Sequence, residues 1–234
     1  METYTAIVLS AGKGSRMNSD VHKQYLMLAG KPVIAYALEA FERSQVSDIV
    51  LVVGAGEEDY CRTEIVEKYG LKKVRTIVRG GKERYHSVYQ GLKAAGNTDY
   101  VLIHDGARPL LSDAIILRMM EAVRIKHACV AGMHVKDTIK ITNEKDEVQT
   151  TPERKNVWMV QTPQAFSYPL ICDAYEKMMK QEDITITDDA MVVEKMCNIP
   201  VSLVEGSYTN IKITTPEDIL IAEAILKQNH TGSV

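Results

Sequence analysis

The chain has 234 residues, 45% of them hydrophobic and 25% charged, with a formal net charge of −3. A near-neutral balance with scattered Lys and Arg excludes a nucleic-acid-wrapping protein or a polybasic membrane anchor, and no apolar run approaches the ~18 residues of a membrane span. The length suits a single domain, residues 1–234, with a sizeable buried core.

Short β-branched runs alternate with helical patterns along the chain. Residues 5–10 (TAIVLS), 48–53 (DIVLVV), 74–78 (VRTIV), 100–104 (YVLIH) and 128–133 (ACVAGM) read as strands. Their nearly unbroken apolar character suits a sheet covered on both faces. Between them, 31–44, 83–96 and 112–126 carry helical spacing, with Ile34, Leu38 and Phe41 on one face of the first. The last helix announces itself in TTPEDILIAEAILKQ: Thr215 as cap, Pro216 at the first helical position, acids in the first turn. The alternation predicts an α/β domain with a mostly parallel sheet. Residues 136–160 break the rhythm with a polar middle and β-type flanks, and read as a protruding β-arm (136–157) of the kind that pairs subunits.

Residues 1–10 lack the charged start and apolar core of a signal peptide. Cys61, Cys129, Cys172 and Cys197 are scattered, with no CxxC and no His at zinc-ligand spacing. Reduced thiols of a cytoplasmic protein are the expectation.

The first strand runs straight into LSAGKGSRM. A strand, a glycine turn and a helix make a phosphate cradle, because backbone N–H groups point outward and no Cβ blocks the anion. Gly12 and Gly14 are followed by Met17 rather than glycine, so the turn is not a dinucleotide loop, and GxxxxGK[ST] occurs nowhere. Taken alone, it is a tight βα turn or a phosphate site with equal claim. Arg16 and Lys23 flank it; they are ordinary surface cations or the charges that neutralise a triphosphate. Asp105 follows a strand and suits Mg²⁺, a helix cap or a partner for Arg108. His104 reads as structural. Thr187 suits a helix cap, and Lys212 and Arg154 have plain surface readings. No Ser-His-Asp or Cys-His constellation is present.

The ordered blocks LSAGKGSRM…HKQYL…LAGKPVI, GGKERYHSVYQGL, VLIHDGARP, VKDTIK, WMVQTPQAF, TITDDA and EGSYTNIKITTPEDILIAE resemble the 2-C-methyl-D-erythritol 4-phosphate cytidylyltransferases, from about residue 5 to about residue 225. The resemblance implies a Rossmann-like nucleotidyltransferase fold, a homodimer joined by the arm, and CMP transfer from CTP to a methylerythritol phosphate with Mg²⁺. It implies transition-state roles for Arg16 and Lys23, a triphosphate loop at Ala11, Gly12 and Gly14, and cytosine recognition at Gly81 and Ser87. Asp105, Gly106 and Arg108 would lie near ribose, metal and substrate. Thr138, Arg154 and Lys212 would hold the polyol phosphate, the first two reaching into the partner's site from the arm. Thr162 and Thr187 would be further pocket positions. Four positions depart from the pattern. Ser10 and Gly106 stand where Ala is usual, His22 where Pro is usual, and Lys82 where an acid occurs. His22 bears on the path of Lys23, because proline fixes its own φ and restricts its predecessor. Ribitol 5-phosphate cytidylyltransferase is the neighbouring alternative; a non-catalytic nucleotide sensor is the alternative of another class. With a phosphate nucleophile already anionic near neutral pH, no strong general base is required.

Overall fold

The computed structural model describes residues 2–12, 22–181 and 185–231. In chain order the elements are β1 (Tyr4–Ser10), β2 (Met27–Leu28), β3 (Lys31–Pro32), α1 (Val33–Arg43), β4 (Asp48–Val53), α2 (Glu58–Tyr60), β5 (Val74–Arg79), α3 (Arg84–Ala95), β6 (Tyr100–Asp105), α4 (Asp113–Lys126) and β7 (Ala128–His134). There follow β8 (Ile141–Thr142), β9 (Val148–Thr150), β10 (Trp158–Ser167), α5 (Tyr168–Met178), α6 (Asp189–Cys197), β11 (Ser202–Glu205) and α7 (Pro216–Thr231). The five strands and four helices expected from the sequence are present, with ends shifted by a residue or two, apart from α7, which continues three residues beyond the expected end.

One seven-stranded sheet, ordered β11-β7-β10-β6-β1-β4-β5, forms the body. All its pairings are parallel except those of β10, which runs antiparallel between β6 and β7. Strand side chains alternate between two apolar cores, as a period of two requires. Tyr4, Ala6 and Val8 of β1, with Ile49, Leu51 and Val53 of β4, face α1 and α4 through Ile34, Leu38, Phe41, Ile115 and Met119. Ile7, Val50 and Val52 face the opposite side, where α3, α5 and α6 contribute Val88, Leu92, Ile171, Tyr175 and Val193. Ile34, Leu38 and Phe41 are fully buried, each contributing about 2 kcal/mol by area removed from water.

The caps explain where the helices begin and end. Ser112 Oγ accepts from the Ile115 N–H at the start of α4, and His127 adopts the left-handed conformation that ends it. At α7, Thr215 immediately precedes Pro216, and Asp218 in the first turn reaches back to it: its Oδ2 accepts from the N–H groups of Thr214 and Thr215 at 2.7 and 2.8 Å. Strands β8 and β9 form a separate two-stranded hairpin, the expected arm, whose residues are largely exposed. The four cysteines are free thiols. No described helix is long and apolar enough to cross a membrane.

Candidate active site

Sequence order places β4 and β5 on one side of β1 and β6 on the other. The sheet therefore reverses its winding between β1 and β6, and the crevice outside the carboxyl ends there is where open α/β sheets bind ligands. A cleft of about 870 Å³ occupies that position. It is lined from β1 by Leu9–Gly12, from β4 by Gly54 and Ala55, from β5 by Gly80–Arg84 with Ser87, and from β6 by Asp105 and Ala107. His22, Lys23, Gln24 and Lys212 complete it.

Asp105 ends β6 and is largely buried, its side chain 12% exposed. Its Oδ2 accepts from Lys212 Nζ at 2.7 Å and its Oδ1 from Arg84 Nε at 3.3 Å. Burial opposes its ionisation, but the Arg84 and Lys212 charges overcome that and hold its carboxyl well below the usual carboxylate range. Arg84 is in turn clamped from behind. Its two terminal nitrogens each donate to Asp189 at 2.8 Å, a bidentate pair, and Asp189 is fully buried. Burial works against the Arg84 charge, yet Asp189 and Asp105 together raise its pKa well above the ordinary value. Tyr175 Oη donates to Asp189 at 2.6 Å, and Gln164 Oε1 accepts from the Asp189 and Ala190 N–H groups at 3.0 Å. A buried carboxylate in an apolar core needs such partners.

A second network lies beneath the end of β6. The Asp105 N–H donates to Thr162 Oγ1 at 3.1 Å, and Thr162 Oγ1 lies 3.0 Å from His104 Nδ1. His104 Nε2 lies 3.2 Å from the Arg108 carbonyl. The Arg108 carbonyl can only accept, so Nε2 carries a proton, and in the neutral imidazole Nδ1 then accepts from Thr162. Burial lowers the His104 pKa to about 4, in keeping with that form. Arg108 itself donates to the Asn210 carbonyl at 2.8 Å.

The structure brings Ala11, Gly12, Lys23, Gly81, Ser87, Asp105 and Lys212 into one cleft. Gly81 N–H donates to Ser87 Oγ at 3.1 Å, which fixes the turn after β5 against the start of α3. Gly106 is packed below the cleft: a Cβ there would stand 2.9 Å from the Leu9 carbonyl and 2.7 Å from Ile34 Cδ1. Thr162 and Arg108 sit behind the cleft wall rather than in its lining. Thr138 and Arg154 lie together on the arm, Arg154 donating to Thr138 Oγ1 at 3.3 Å, both exposed and away from the lining residues. Thr187 does not cap α6. That place is taken by Asp188, whose Oδ1 accepts from the Met191 N–H at 3.0 Å, and Thr187 is exposed beside Met191. Gly14 and Arg16 lie outside the described residues. The Asp105 side chain hydrogen-bonds Arg84 and Lys212. Arg108 is its local partner through the backbone, the Arg108 N–H donating to the Asp105 carbonyl at 2.9 Å, and its charge also favours the ionised carboxyl.

Arg84 and Asp189 were not singled out from the sequence. Arg84 hides inside GGKERYHS, where Gly81 and Ser87 drew the reading, and Asp189 inside a DD pair that suits any helix start. The available signal was that one aspartate suffices as a cap, so the second, facing inward on α6, needs a cation.

The chain was compared with known proteins. The family model of 2-C-methyl-D-erythritol 4-phosphate cytidylyltransferase matches residues 4–228. The Lachnoclostridium phytofermentans protein of that name is 50% identical over 229 residues, covering 98% of both chains. That of Alkaliphilus oremlandii is 48% identical over 230 residues, covering 97% of both. Among solved structures, the 4-diphosphocytidyl-2C-methyl-D-erythritol synthase of Anaerococcus prevotii superposes with a TM-score of 0.86 at 36% identity, covering 97% of this chain and 96% of that one. The Thermus thermophilus 2-C-methyl-D-erythritol 4-phosphate cytidylyltransferase gives 0.77 at 29% identity, covering 97% and 100%.

Proposed function

Since the chain belongs to the 2-C-methyl-D-erythritol 4-phosphate cytidylyltransferase family, we propose how its own residues carry out CMP transfer from CTP to the polyol phosphate with release of pyrophosphate. The observation that carries the proposal is the convergence of Lys23, Lys212 and the Ala11–Gly12 and Gly80–Gly81 turns on one cleft at the winding reversal. Backbone N–H groups of the first turn receive the triphosphate, and the second turn, held by Ser87, receives the base. The polyol phosphate attacks the α-phosphorus. One P–O bond forms, the bond to the β-phosphate oxygen breaks, and pyrophosphate leaves with the electron pair. No proton has to be removed from the attacking phosphate.

The chain's part is positioning and charge. Lys23, with Arg16 beside it in sequence, offsets the charge that grows on the α-phosphoryl oxygens and the leaving group. Lys212, held at 2.7 Å from Asp105, stands where the incoming phosphate needs a cation. Arg84 fixes Asp105 from the far side.

The residues also suit a divalent cation. Asp105 is a hard oxygen donor kept ionised by its neighbours, and it is the residue that would hold Mg²⁺. No group of three His, Cys, Asp or Glu gathers among the described residues, in keeping with a metal bound mostly by phosphate oxygens and water. Bound there, Mg²⁺ would neutralise triphosphate charge.

We also propose a cytoplasmic homodimer paired through the arm. The arm exposes Ile139, Ile141 and Val148, and the strand leaving it exposes Met159 and Val160. Arg154 and Thr138 would then complete the partner's site from that arm.

Pyrophosphate release from CTP, run in parallel with methylerythritol 4-phosphate and ribitol 5-phosphate, tests the substrate; release with ribitol phosphate alone would overturn it. Lys23→Ala should lower turnover by about 10²–10³-fold, ~3–4 kcal/mol of transition-state stabilisation, with the circular dichroism spectrum unchanged. Near-wild-type turnover in that variant would remove Lys23 from its role.

A further inference from the structure

We infer that Glu57 is the positioning residue of Lys23: its carboxylate clasps the Lys23-bearing turn to the end of β4 and so sets where that cation stands in the cleft. The inference rests on the role given to Lys23 above.

The turn Lys23–Tyr25 is three residues long and has no side-chain cap of its own. So short a helical turn is weak in isolation. Glu57, at the far side of the loop after β4, fastens it at both ends. Oε1 pairs with His22 Nδ1, immediately before Lys23. Oε2 accepts from Tyr25 Oη at 2.8 Å, two residues after it. The same Oε2 accepts from the Gly54 N–H, also at 2.8 Å, which ties the carboxylate to β4. The Glu57 side chain is only 16% exposed, so these bonds face little competition from water.

Two further features show that the place is built for a carboxylate. A Cβ on Gly54 would stand 2.6 Å from Glu57 Oε2, so only glycine lets the carboxylate reach that N–H. Behind Tyr25, Cys61 Sγ lies 3.1 Å from the phenol oxygen. Burial raises the Tyr25 pKa far above the ordinary phenol value and that of Cys61 to about 11. Both stay protonated, so Cys61 donates to Tyr25 and Tyr25 to Glu57. Gln24 is fixed separately, its Nε2 donating to the Ser10 carbonyl at 2.5 Å. His22, Gln24 and Tyr25 are thus each tied to the carboxyl end of the sheet at β1 and β4, and Lys23 between them lines the cleft. His22, which stands where a proline would have stiffened the chain by its ring, contributes instead through this contact with Glu57.

The test uses the full chain and two readouts. Glu57→Ala should lower kcat for pyrophosphate release by about 10- to 100-fold, the scale of a small misplacement of a catalytic group, with KM for the polyol phosphate little changed. Glu57→Gln, which keeps the shape and one acceptor, should restore part of it. In a Lys23→Ala background, Glu57→Ala should cost no further turnover. The second readout is independent of activity. Acetylation of lysines by an amine-reactive ester, mapped by mass spectrometry, should change several-fold at Lys23 in Glu57→Ala and stay constant at exposed Lys126 and Lys180. Unchanged Lys23 reactivity in a folded variant overturns the clasp, whatever the turnover. Altered Lys23 reactivity in a chain whose wild type releases no pyrophosphate leaves the clasp standing and overturns the reading of the reaction. Should Glu57→Ala not fold, Glu57→Gln and His22→Ala give the same comparison, with smaller shifts expected.

Discussion

At the scale of single residues, the cleft is built from charges whose states are fixed by neighbours, and His104 shows this most directly. It is fully buried, neutral, and bonded at both ring nitrogens. Its pKa falls from about 6.5 in the unfolded chain to about 4 in the fold. Between those values the unfolded chain binds the extra proton, so stability rises with pH across that window. The contribution is complete above pH ~6.5 and is lost as the pH drops through 4, about 3 kcal/mol in all. Asp105, depressed below the ordinary carboxylate range, acts at lower pH and leaves this window to His104. Thermal unfolding followed from pH 7 to pH 4.5 should show the loss, and His104→Gln should flatten the slope. An identical slope in that variant would refute the assignment. The residues legible in the sequence were those with a motif around them: the glycine turn, Lys23, Asp105 and Lys212. Arg84 and Asp189 were not legible because their pairing joins positions 105 residues apart, and nothing local marks it.

At the scale of elements, the strands easiest to read were those with both faces in apolar cores. Strand β10 was harder, and its beginning was absorbed into the arm. Its buried stretch includes Gln161, Thr162 and Gln164, polar side chains that a hydrophobicity pattern assigns to a surface. Each has a specific partner: Gln161 donates to the Ser207 carbonyl, Thr162 meets His104, and Gln164 bonds Asp188 and Asp189. The tertiary fold supplies those partners, and the local pattern cannot anticipate them. The arm was legible for the opposite reason, since its polar middle could not belong to a core. A two-stranded hairpin with exposed Ile141 and Val148 is marginal by itself. If the arm pairs subunits as proposed, replacing residues 138–151 by a short glycine turn should convert the dimer to a monomer in analytical ultracentrifugation. It should also abolish turnover of the polyol phosphate, because it removes Thr138 and detaches Arg154 from its support. A variant that still sediments as the wild type would remove the arm from the subunit interface.

At the scale of the whole molecule, the cleft draws on six separated stretches of chain, and the last is brought back by packing rather than by the sheet. After β11 the chain returns along the end of β6. Ile213 N–H donates to the Ala107 carbonyl at 2.8 Å, and Asn210 Nδ2 donates to the Thr162 carbonyl at 2.9 Å. Ile213 is fully buried in a third apolar cluster with Leu28, Val33 and Ala222, which joins α7 to the β2–β3 turn. Lys212 reaches Asp105 from the residue next to that anchor. Stability and charge placement are thus coupled at one point, far in sequence from the glycine turn. Ile213→Val should cost about 1 kcal/mol and Ile213→Ala about 2–5 kcal/mol, the usual range for a methyl-by-methyl loss in a filled core. If the cluster serves only the fold, the folded fraction of each variant keeps wild-type turnover. If it places Lys212, as the geometry requires, turnover per folded molecule falls from Ile to Val to Ala, with KM for the polyol phosphate rising and that for CTP nearly constant. Denaturant unfolding and steady-state kinetics on the same samples separate the two, and equal kinetics in folded Ile213→Ala would free Lys212 from this support.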